Sequence, residues 1–583
     1  MGHAYGKIAL ERTEKPSIRT NALGEDPPLT PMTKCLLIAP EFFAYSFWSV
    51  RETAKLIGAR HTCPPLGLIT IASLLPREWE VRLLDLNVQN MDASLLDWAD
   101  IVMTGGMITQ QGSILSLIEL CHRHGKRVAV GGQDATSQPD VYAAADYLVL
   151  DEGEVTVPAF LEDFRRGAAR GLYRSAEKAD MILSPVPRFD LLDLTKYLFV
   201  GIQSARGCPF HCEFCDIIEL YGRKPRTKTP EQLLEEFECL YRLGYRGHVD
   251  FADDNFIGNK KNATALLPRL LAWSRERGHP FYFSTQASIN LADDPRLLDL
   301  MEALDFRYVF LGIETPDKDL LLSTQKKENT RHPIVESVRR IYEHGIIVMA
   351  GFIIGFDGET RETAASIATC AEAAGIPMVL LGLLTALPNT QLSRRLTREG
   401  RLHENYSKLT GEHFEQSASG LNFVPLRPRK EVIEDYATVL RRLYSPEGYF
   451  RRVLLAARLL KRRAKQRGRM RGRPREIVVM VSLLRKLGFA RGKAWMFWKT
   501  FLRILAARPR NAKAALHVMA LFLHYEKHAD FILKEIERQI AELSENGSGP
   551  PVFAKPRRSE SDEISPSRLV DGTPEPFSAM KTH

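Results

Sequence analysis

Cysteine is scarce in this chain and mostly isolated. Only eight of the 583 residues are Cys, and five of those stand far from any other Cys. This pattern excludes the disulfide framework of a small secreted domain. Long uncharged apolar runs are also missing, which excludes a membrane-spanning helix, and residues 1–33 lack the apolar core of a signal peptide. We therefore expect a cytoplasmic protein.

Acidic residues are missing from one long segment. Between Arg451 and Arg475, twelve residues are Lys or Arg and none is Asp or Glu. The formal net charge of +9 depends on this segment, so the basicity does not predict a nucleic-acid-binding surface spread over the protein. Apolar residues between the cations predict a basic amphipathic helix, and aromatic residues follow between Lys493 and Lys499. Such a region suits peripheral contact with the inner face of an anionic membrane, and it equally suits a helix packed on the rest of the protein.

The pattern of apolar segments divides the chain into six parts. These parts are a disordered tail at 1–33, a strand–helix series at 34–167, a linker at 168–196, a second strand–helix series at 197–400, a helical region at 401–544 and a disordered tail at 545–583. The tails are rich in Pro, Ser and charged residues and lack apolar periodicity. Strands that alternate with helices predict parallel sheets, so the expected fold class is α/β.

Each strand–helix series has its own predicted strands. Those of the first series are 35–39, 81–86, 101–104, 128–130 and 147–150, and those of the second are 199–204, 248–252, 282–286, 308–313, 348–354 and 378–384. The first series predicts a sheet with helices on both faces. The second has six strands, fewer than the eight of a closed barrel.

Glycines follow three predicted strands of the first series. They are Gly105 and Gly106, Gly131 and Gly132, and Gly153, which precedes Glu154. Ligands of such sheets bind beyond the carboxyl ends of the strands, and glycine lets a large planar ligand approach the backbone. These positions are therefore candidates for cofactor binding. Tight turns at strand ends also use glycine, so both interpretations stay open.

Three cysteines stand together in one short loop. Cys208, Cys212 and Cys215 form a Cys-x3-Cys-x2-Cys motif just after the first predicted strand of the second series. Thiolates are soft ligands that suit iron–sulfur clusters and zinc. Three thiolates without a fourth nearby would leave one iron of a four-iron cluster open for chemistry. A zinc site that uses His211 or a distant ligand, and three unconnected thiols, are the alternatives.

This loop resembles the signature of the radical S-adenosylmethionine family, in which the open iron of a [4Fe-4S] cluster binds the cofactor. The order of parts is similar to the cobalamin-binding class of that family. The resemblance implies a flavodoxin-like (Rossmann-like) B12-binding domain, then a partial (β/α)6 barrel, then an α-helical C-terminal domain. Segments at 47–49, 64–68, 253–259, 312–316 and 444–446 resemble the subgroup that contains the hopanoid C2 methylases.

The resemblance implies roles for individual residues. Cys208, Cys212 and Cys215 would ligate the cluster, and Glu314 would contact the ribose of S-adenosylmethionine. The remaining candidates for binding S-adenosylmethionine are Asp253, Asp254 and Asn255 for the amino group, Gly351 and Gly355 for the adenine, and Gln286 by its position at a strand end.

Cobalamin has no marker residue in this sequence. None of the fifteen His lies in the Asp-x-His-x-x-Gly motif that supplies a lower cobalt ligand in cobalamin mutases. Radical cobalamin methylases generally lack that motif, so the resemblance implies cobalamin bound without a His ligand. A domain that has lost the cofactor remains the alternative.

The implied activity is C-methylation of an unactivated carbon in an apolar lipid such as a hopanoid. A 5′-deoxyadenosyl radical would remove a hydrogen from the substrate, and methylcobalamin would supply the methyl group. A reducing electron donor such as flavodoxin or ferredoxin is implied, and nucleic acid is not an expected partner.

Three other functions remain open at this stage. The first is a radical enzyme that modifies lipids by ring or bond formation without methyl transfer. The second is a tRNA methylthiotransferase, whose first domain would bind a second cluster through Cys35, Cys63 and Cys121. The third is a zinc- and RNA-binding protein that uses the basic segment. Iron content separates the second from the others.

Overall fold

The computed structural model describes residues 32–43, 45–403, 417–461, 474–489 and 492–546. The predictions for the two terminal tails therefore fall almost entirely outside the described residues.

The first half of the chain forms a parallel sheet. Its strands are β1 (Lys34–Ala39), β2 (Glu80–Asp85), β3 (Ile101–Gly105), β4 (Arg127–Gly131), β5 (Tyr147–Val149) and β6 (Leu172–Tyr173), in the order β2-β1-β3-β4-β5-β6. Alternate residues of β1 enter different apolar clusters, Leu36 one and Leu37 the other, because successive side chains of a strand point to opposite faces. The predicted sheet with both faces covered is confirmed.

Helices connect these strands. They are α1 (Arg51–Ala54), α2 (Leu66–Ala72), α3 (Ala93–Trp98), α4 (Gln111–Arg123), α5 (Gln133–Ser137) and α6 (Gly153–Arg165). Strand β6 lies within the segment predicted as a linker, where Leu172 pairs with Leu148 of β5. The first sheet thus continues beyond residue 167. A strand of two residues is too short to leave a periodic pattern in the sequence.

The second sheet is an open barrel. Its strands are β7 (Val200–Ile202), β10 (Gly247–Phe251), β11 (Phe281–Ala287), β12 (Phe306–Glu314), β13 (Ile347–Ile354) and β14 (Met378–Leu383), which pair in this order. All five pairings are parallel. A short antiparallel pair, β8 (Ala205–Arg206) with β9 (Arg226–Thr227), follows the first strand. The predicted partial barrel of six strands is confirmed.

Helices cover the outside of this barrel. They are α7 (Ile217–Leu220), α8 (Pro230–Arg242), α9 (Lys260–Glu276), α10 (Pro295–Leu304), α11 (Lys318–Ser323), α12 (Ile334–Glu343), α13 (Arg361–Ala374) and α14 (Gln391–Arg398). Helix α8 begins with a capping box in which Thr229 and Gln232 satisfy each other's backbone N–H groups.

The C-terminal region is helical, as predicted. Its helices are α15 (Arg429–Tyr444), α16 (Pro446–Leu459), α17 (Pro474–Gly488), α18 (Ala494–Ala507) and α19 (Ala512–Asn546). Helix α15 covers β14, the edge strand of the barrel: the Tyr436 hydroxyl donates to the Leu381 carbonyl at 3.0 Å, and the Tyr444 hydroxyl donates to the Val379 carbonyl. An edge strand covered in this way cannot pair with another chain.

The described part of the basic segment packs against the barrel. Arg452 is fully buried and donates to the carbonyls of Ile376 and Pro377 at 2.7 and 3.2 Å, so it is not the surface cation that the pattern predicted. Arg451 forms an ion pair with Glu372 at 2.9 Å. Residues 462–473 lie outside the described residues. Among the described helices, none has the length and apolar character needed to cross a bilayer.

Candidate active site

The carboxyl ends of the two sheets face each other. Gln133, just after β4, donates to the hydroxyl of Tyr221 at 2.9 Å, and Tyr221 follows α7 shortly after the cysteine loop. Asn389, beyond β14, donates to the Ser137 carbonyl at 3.1 Å. In parallel α/β sheets ligands bind at these ends, so the space between the two domains is the candidate active site.

The cysteine loop begins with a glycine that no other residue can replace without strain. Gly207 has a φ of 91°, in the left-handed region, and a Cβ there would lie 2.8 Å from the Gly222 carbonyl oxygen. The Cys208 N–H donates to the same carbonyl at 3.3 Å. The loop therefore closes on itself immediately before its first cysteine.

Asp253 holds the approach to this loop. Its carboxylate accepts hydrogen bonds from the Ser204 N–H at 2.6 Å, the Ala205 N–H at 2.9 Å and the Ser204 hydroxyl. Burial raises the pKa of Asp253 to about 7, although these donors act in the opposite direction. Both oxygens are therefore occupied within the protein, and the geometry makes Asp253 a positioning residue rather than a contact of the cofactor amino group.

The next two residues also contact the loop. Asp254 accepts from the Gly207 N–H at 2.9 Å, and burial raises its pKa to about 6. The Asn255 amide lies 3.9 Å from the Cys208 sulfur and 3.2 Å from the Ser288 hydroxyl. Asp254 and Asn255 remain predicted contacts of S-adenosylmethionine, because they flank the loop at the end of β10.

The three thiols lie near the ammonium group of Lys326, with Cys212 buried and Cys208 and Cys215 partly exposed. Burial raises the pKa of the Cys212 thiol to about 12 and also raises those of Cys208 and Cys215. The Lys326 ammonium favours all three thiolates. A cluster binds thiolates, so cluster binding and thiol deprotonation are coupled here. Three thiols on one loop, partly or fully buried and with a nearby cation, fit an iron–sulfur cluster.

Glu314 ends β12 in a strained conformation beside Lys326. Its φ is 67°, and its carboxylate lies 2.9 Å from the Lys326 ammonium. Burial alone would lower the pKa of Lys326, but the charge of Glu314 raises it well above its usual value. A Cβ at Gly312 would lie 3.1 Å from the Lys326 nitrogen, so glycine there leaves room for the ion pair. Strain of this kind is typical of functional sites, and Glu314 stays a predicted ribose contact.

The remaining barrel candidates lie at strand ends. Gln286 is partly exposed, one residue before the end of β11. A Cβ at Gly351 would lie 3.0 Å from the Phe310 ring, so this glycine adjoins the inside of the barrel. Gly355 has a φ of 110° and donates its N–H to Glu359 at 3.2 Å. The roles of these residues in adenine binding stay predictions.

Four glycines line the carboxyl end of the first sheet. A Cβ at Gly105 would lie 2.6 Å from the Gly131 carbonyl oxygen, and one at Gly132 would lie 2.9 Å from the Gly106 nitrogen. The backbones at the ends of β3 and β4 therefore lie against each other with no room for a side chain between them. Beside them, the Thr109 hydroxyl is buried without a hydrogen-bond partner among the described residues. A flat backbone edge with an unsatisfied hydroxyl fits a large polar ligand such as cobalamin.

Gly153 and Glu154, which the sequence predicts to bind a cofactor, contact other parts of the protein. Gly153 packs against the Ile71 side chain, so it serves the contact between α6 and α2. The Glu154 carboxylate accepts two hydrogen bonds from Arg206, both at 2.8 Å. Glu152 accepts from Arg206 at 3.0 Å and from Arg226 at 2.9 Å. These ion pairs join the first domain to the cysteine loop, and the geometry assigns Glu154 to that interface.

The second cluster of the methylthiotransferase interpretation has no geometric basis. Cys35 and Cys121 belong to apolar clusters on opposite faces of the first sheet, so their thiols cannot share a cluster. Among the described residues, no three His, Cys, Asp or Glu side chains are placed to hold a single metal ion. Cys208, Cys212 and Cys215 would bind three different irons of a cluster, which does not require them to converge on one point.

Sequence reasoning missed the contacts between distant segments. Arg206, Arg226 and Glu152 form the interface between domains, and Lys326 supplies the positive charge near the thiols. Trp48 reaches the barrel, where its ring lies 5.0 Å from that of Phe310. The position of Arg206 two residues before Cys208 was the one available signal, since that side chain cannot be far from the cluster.

Comparisons with known families match three consecutive regions of the chain. Residues 55–161 match the B12 binding domain, residues 202–371 match the radical SAM superfamily, and residues 390–538 match DUF4070, a domain of unknown function. The first two regions are the two domains whose carboxyl ends meet at the candidate active site.

Solved structures share this arrangement of domains. The radical S-adenosylmethionine methyltransferase TsrM from Kitasatospora setae, with cobalamin and a [4Fe-4S] cluster bound, has a TM-score of 0.58 at 16% identity and covers 82% of this chain and 100% of its own. The cobalamin-dependent enzyme OxsB, with aqua-cobalamin and S-adenosylmethionine bound, has a TM-score of 0.55 at 15% identity and covers 88% and 81%. At these identities the match concerns the fold.

Curated relatives are closer in sequence. An uncharacterized methyltransferase from Synechocystis sp. is 42% identical over 87% of this chain and 94% of its own length. The hopanoid C-2 methylase of Rhodopseudomonas palustris is 36% identical over 76% of this chain and 84% of its own length. Together with the B12-binding and radical SAM regions, these relatives show that the chain belongs to the cobalamin-dependent radical S-adenosylmethionine methyltransferases.

Proposed function

We propose that this enzyme methylates an unactivated carbon of an apolar lipid of the hopanoid type. The observation that carries this proposal is the 36% identity to a hopanoid C-2 methylase over 76% of the chain. Partly exposed apolar side chains inside the barrel, among them Phe310, Met349 and Ile353, support it. The electron donor would be a small reducing protein such as flavodoxin or ferredoxin.

The chain's own residues would hold three cofactors. Cys208, Cys212 and Cys215 would hold the [4Fe-4S] cluster, and the glycine-rich edge of β3 and β4 would hold cobalamin. Asp254 and Glu314 would bind polar groups of S-adenosylmethionine. When bound, the cluster with S-adenosylmethionine supplies hydrogen abstraction from an unactivated carbon, and cobalamin supplies a transferable methyl group.

The protein itself positions the cofactors and the substrate and excludes water from the active site. Asp253 fixes the backbone before the first cysteine, and the ion pairs of Arg206 fix the distance between the two domains. Both oxygens of Asp253 are already engaged, so it holds no proton of the reaction. Buried aromatic and aliphatic residues surround the barrel and keep water from a reactive substrate.

Expression in a hopanoid-making host that lacks its own methylase tests the proposal. Mass spectrometry of the lipid extract should show a hopanoid with one additional methyl group. Methionine labelled at its methyl carbon should label that group. The Cys212→Ala variant is the matched control, because it removes one cluster ligand and should yield no methylated lipid.

The outcome that contradicts the lipid assignment is specific. An unchanged lipid profile, together with label in a soluble metabolite or a peptide, would mean that the methyl transfer is correct and the substrate is wrong. Loss of the Cys212 dependence would contradict the radical chemistry itself.

We infer that helix α18 contacts an anionic membrane surface. Trp495 is 73% exposed and Leu502 is 55% exposed, and Lys499 lies between them on the same helical face, since residues i, i+4 and i+7 align. Phe489, which precedes the helix, is 79% exposed. Residues 477–525 contain no Asp or Glu. Exposed aromatic and aliphatic groups among cations are complementary to anionic lipid headgroups.

Binding to vesicles tests this surface. The protein should bind phosphatidylglycerol-containing vesicles and release them at high salt, because each cation contributes about 1 kcal/mol at low ionic strength. Trp495→Ala with Leu502→Ala should weaken binding by about tenfold or more. Leu426→Ala is the control, since Leu426 is 69% exposed but lies outside α18. Equal binding to neutral and anionic vesicles would contradict the inference.

A further inference from the structure

The inward face of four barrel strands is only partly buried. In β10 the side chains of Val249 and Phe251 are fully buried, while His248 and Asp250 remain partly exposed. Strands β11, β12 and β13 repeat this difference between their two faces, with buried exceptions on the inward face that include Ser284 and Gly351. Since successive side chains of a strand point to opposite faces, the buried set packs on the outer helices and the partly exposed set lines an internal space. The ring of Phe251, for example, lies 5.9 Å from that of Phe237 on α8.

One wall of this space is polar. His248 Nε2 lies 2.7 Å from the Ser284 hydroxyl, and the Ser284 hydroxyl donates to Asp250. The imidazole ring stacks on Tyr282 at 4.9 Å and lies 4.8 Å from Phe199. We call His248, Asp250 and Ser284 the luminal polar group. All three lie on β10 and β11, and none of them belongs to the cysteine loop.

The opposite wall is apolar. The partly exposed side chains of β12 and β13 include Phe310, Met349 and Ile353. Trp48 from the N-terminal part of the chain lies against Phe310 at 5.0 Å between ring centroids. A molecule in this space would therefore meet hydrogen-bonding groups on one side and an apolar surface on the other.

The luminal polar group lies well below the cysteine loop. Asp250 precedes Asp253 by three residues and His248 precedes it by five, and a strand rises about 3.3 Å per residue. The group is therefore roughly 10–16 Å from the strand end where Asp253 holds the loop. Cofactor chemistry occurs at that end, so these side chains contact a part of the substrate distant from the reacting carbon.

We propose that the luminal polar group binds a hydroxyl of the substrate, so that the enzyme takes an amphiphilic lipid with an apolar body and a hydroxyl far from the methylated carbon. This proposal rests on the proposed lipid methylation and adds the class of lipid. The hydroxyl would donate to the His248 nitrogen that does not face Ser284, while Phe310, Met349 and Ile353 contact the apolar body.

Two physical features favour this specificity. Burial lowers the pKa of His248 to about 3, so its imidazole is neutral and can both donate and accept a hydrogen bond. Because Ser284 donates to Asp250, His248 Nε2 donates to Ser284, and His248 Nδ1 remains as an acceptor. A substrate that lacks the hydroxyl would leave this nitrogen without a donor against an apolar molecule, which is costly. Sites built to bind a hydroxyl therefore reject analogues that lack it far more strongly than apolar sites discriminate by size.

A pair of lipids with one ring skeleton tests the proposal. The reconstituted enzyme is given a polycyclic triterpene alcohol and the corresponding hydrocarbon, and kcat/KM is measured for each. The wild-type protein should prefer the alcohol by about tenfold or more, a difference of about 1.4 kcal/mol. His248→Phe should abolish this preference, because phenylalanine keeps the stacking on Tyr282 and loses the hydrogen bond.

Two further variants separate recognition from stability. Asp250→Asn should reduce the preference, whereas Thr285→Val should keep it. The Thr285 hydroxyl donates to the Phe251 carbonyl at 3.2 Å, and its side chain lies on the buried face of β11. This control therefore changes a buried polar group next to Ser284 that does not face the internal space. Iron content, retained corrin and the midpoint of thermal unfolding are measured for each variant. In the Thr285 control, iron and corrin should equal those of the wild type, while the midpoint should fall because the Phe251 carbonyl loses a buried hydrogen bond.

The outcomes distinguish this proposal from the proposed function. Methylation of both lipids without preference, or an unchanged preference in His248→Phe, overturns the role of the luminal polar group and leaves lipid methylation intact. Methylation of neither lipid by a protein that still forms 5′-deoxyadenosine overturns both.

Discussion

Single residues near the cysteines hold the loop rather than react. Asp253 accepts three hydrogen bonds from Ser204 and Ala205, and Asp254 accepts one from Gly207. These contacts order the backbone before a cofactor binds. A loop that is already ordered loses less conformational entropy when the cluster assembles, so these residues favour cluster binding without touching the irons.

The first prediction concerns the three cysteines. Replacing Cys208, Cys212 or Cys215 by Ala should remove cluster binding, measured as iron per chain after anaerobic reconstitution, and should abolish cleavage of S-adenosylmethionine to 5′-deoxyadenosine. Each cysteine supplies one of three iron ligands, so the remaining two cannot retain the cluster. Cys370→Ala is the control, because this thiol lies on α13, outside the loop. Retained 5′-deoxyadenosine formation in Cys212→Ala would disprove the ligand assignment.

The second prediction concerns two glycines of the first domain. Gly132→Ala should lower the amount of hydroxocobalamin retained after desalting by about tenfold, because a Cβ would lie 2.9 Å from the Gly106 nitrogen and displace the edge that holds the corrin. Gly125→Ala is the matched control: its φ is also positive, at 64°, but nothing lies within 4 Å of the added Cβ. It should cost about 1–2 kcal/mol of stability and leave corrin binding unchanged. Equal corrin loss in both variants would contradict this.

At the scale of single residues, the sequence predicts the cysteine ligands of the cluster but not the distant residues that contact the site. Cys208, Cys212 and Cys215 carry their chemistry in a local spacing, which the sequence displays directly. Glu154 is different, because its role depends on Arg206, a residue 52 positions away. Lys326 lies more than a hundred residues after the cysteines, in the connection between β12 and β13, yet its ammonium is close to the thiols. No local pattern contains such contacts, since they arise from tertiary packing.

At the scale of elements, one contact joins the two ends of the described chain. Helix α19 packs on residues 45–53, where Thr53 donates to the Ala520 carbonyl at 3.1 Å and Phe47 stacks on Tyr525 at 4.9 Å. His524 donates from Nε2 to the Ser46 carbonyl at 3.0 Å. His528 donates from Nδ1 to the Tyr45 carbonyl. This contact places Trp48 against the barrel.

The third prediction concerns the pH dependence of that contact. Burial lowers the pKa values of His524 and His528 from 6.5 to about 4. Between pH 6.5 and about 4 these two histidines bind protons in the unfolded chain but not in the folded chain. Their contribution to the free energy of unfolding is therefore fully present above pH 6.5 and falls as the pH decreases through this window. The loss should reach roughly 3 kcal/mol for each histidine, measured by urea unfolding at a series of pH values.

Conservative variants isolate these two histidines. His524→Gln with His528→Asn keeps a donor near each carbonyl but cannot titrate, so the slope of stability between pH 6.5 and 4 should flatten. His122→Gln, at an exposed histidine beside Asp146, should keep the wild-type slope. An unchanged slope in the double variant would show that other groups determine the acid sensitivity.

Regular elements were predicted well and irregular ones were not. Buried parallel strands such as β13 are continuous apolar runs, which the sequence shows clearly. Strand β6 has two residues and was missed, since its position depends on pairing with β5. The segment from Arg451 was predicted as a basic amphipathic helix that either contacts a membrane or packs on the rest of the protein. Its described part packs on the barrel, and Arg452 is buried, where three backbone carbonyls accept its hydrogen bonds.

At the scale of the whole molecule, a group of buried charges joins the two domains. Arg206 of the cysteine loop contacts both Glu152 and Glu154, and Arg226 also contacts Glu152. The side chains of the two glutamates are 1% and 3% exposed. A pair of buried charges stabilises little by itself, but removing one partner is costly because the other charge stays buried. The group therefore acts as a specific connection between the cobalamin domain and the cluster.

The fourth prediction concerns this connection. Glu154→Ala should lower the free energy of unfolding by about 3 kcal/mol, because Arg206 loses two hydrogen bonds in a buried site. Glu162→Ala on the same helix is the matched control: Glu162 lies 3.7 Å from Arg166 with both side chains more than 60% exposed, so the cost should stay below about 1 kcal/mol. Because the contact fixes the distance between the domains, Glu154→Ala should also form more 5′-deoxyadenosine for each methyl group transferred. Equal stability of the two variants, with an unchanged ratio of 5′-deoxyadenosine to methylated product, would show that the domains are held together elsewhere.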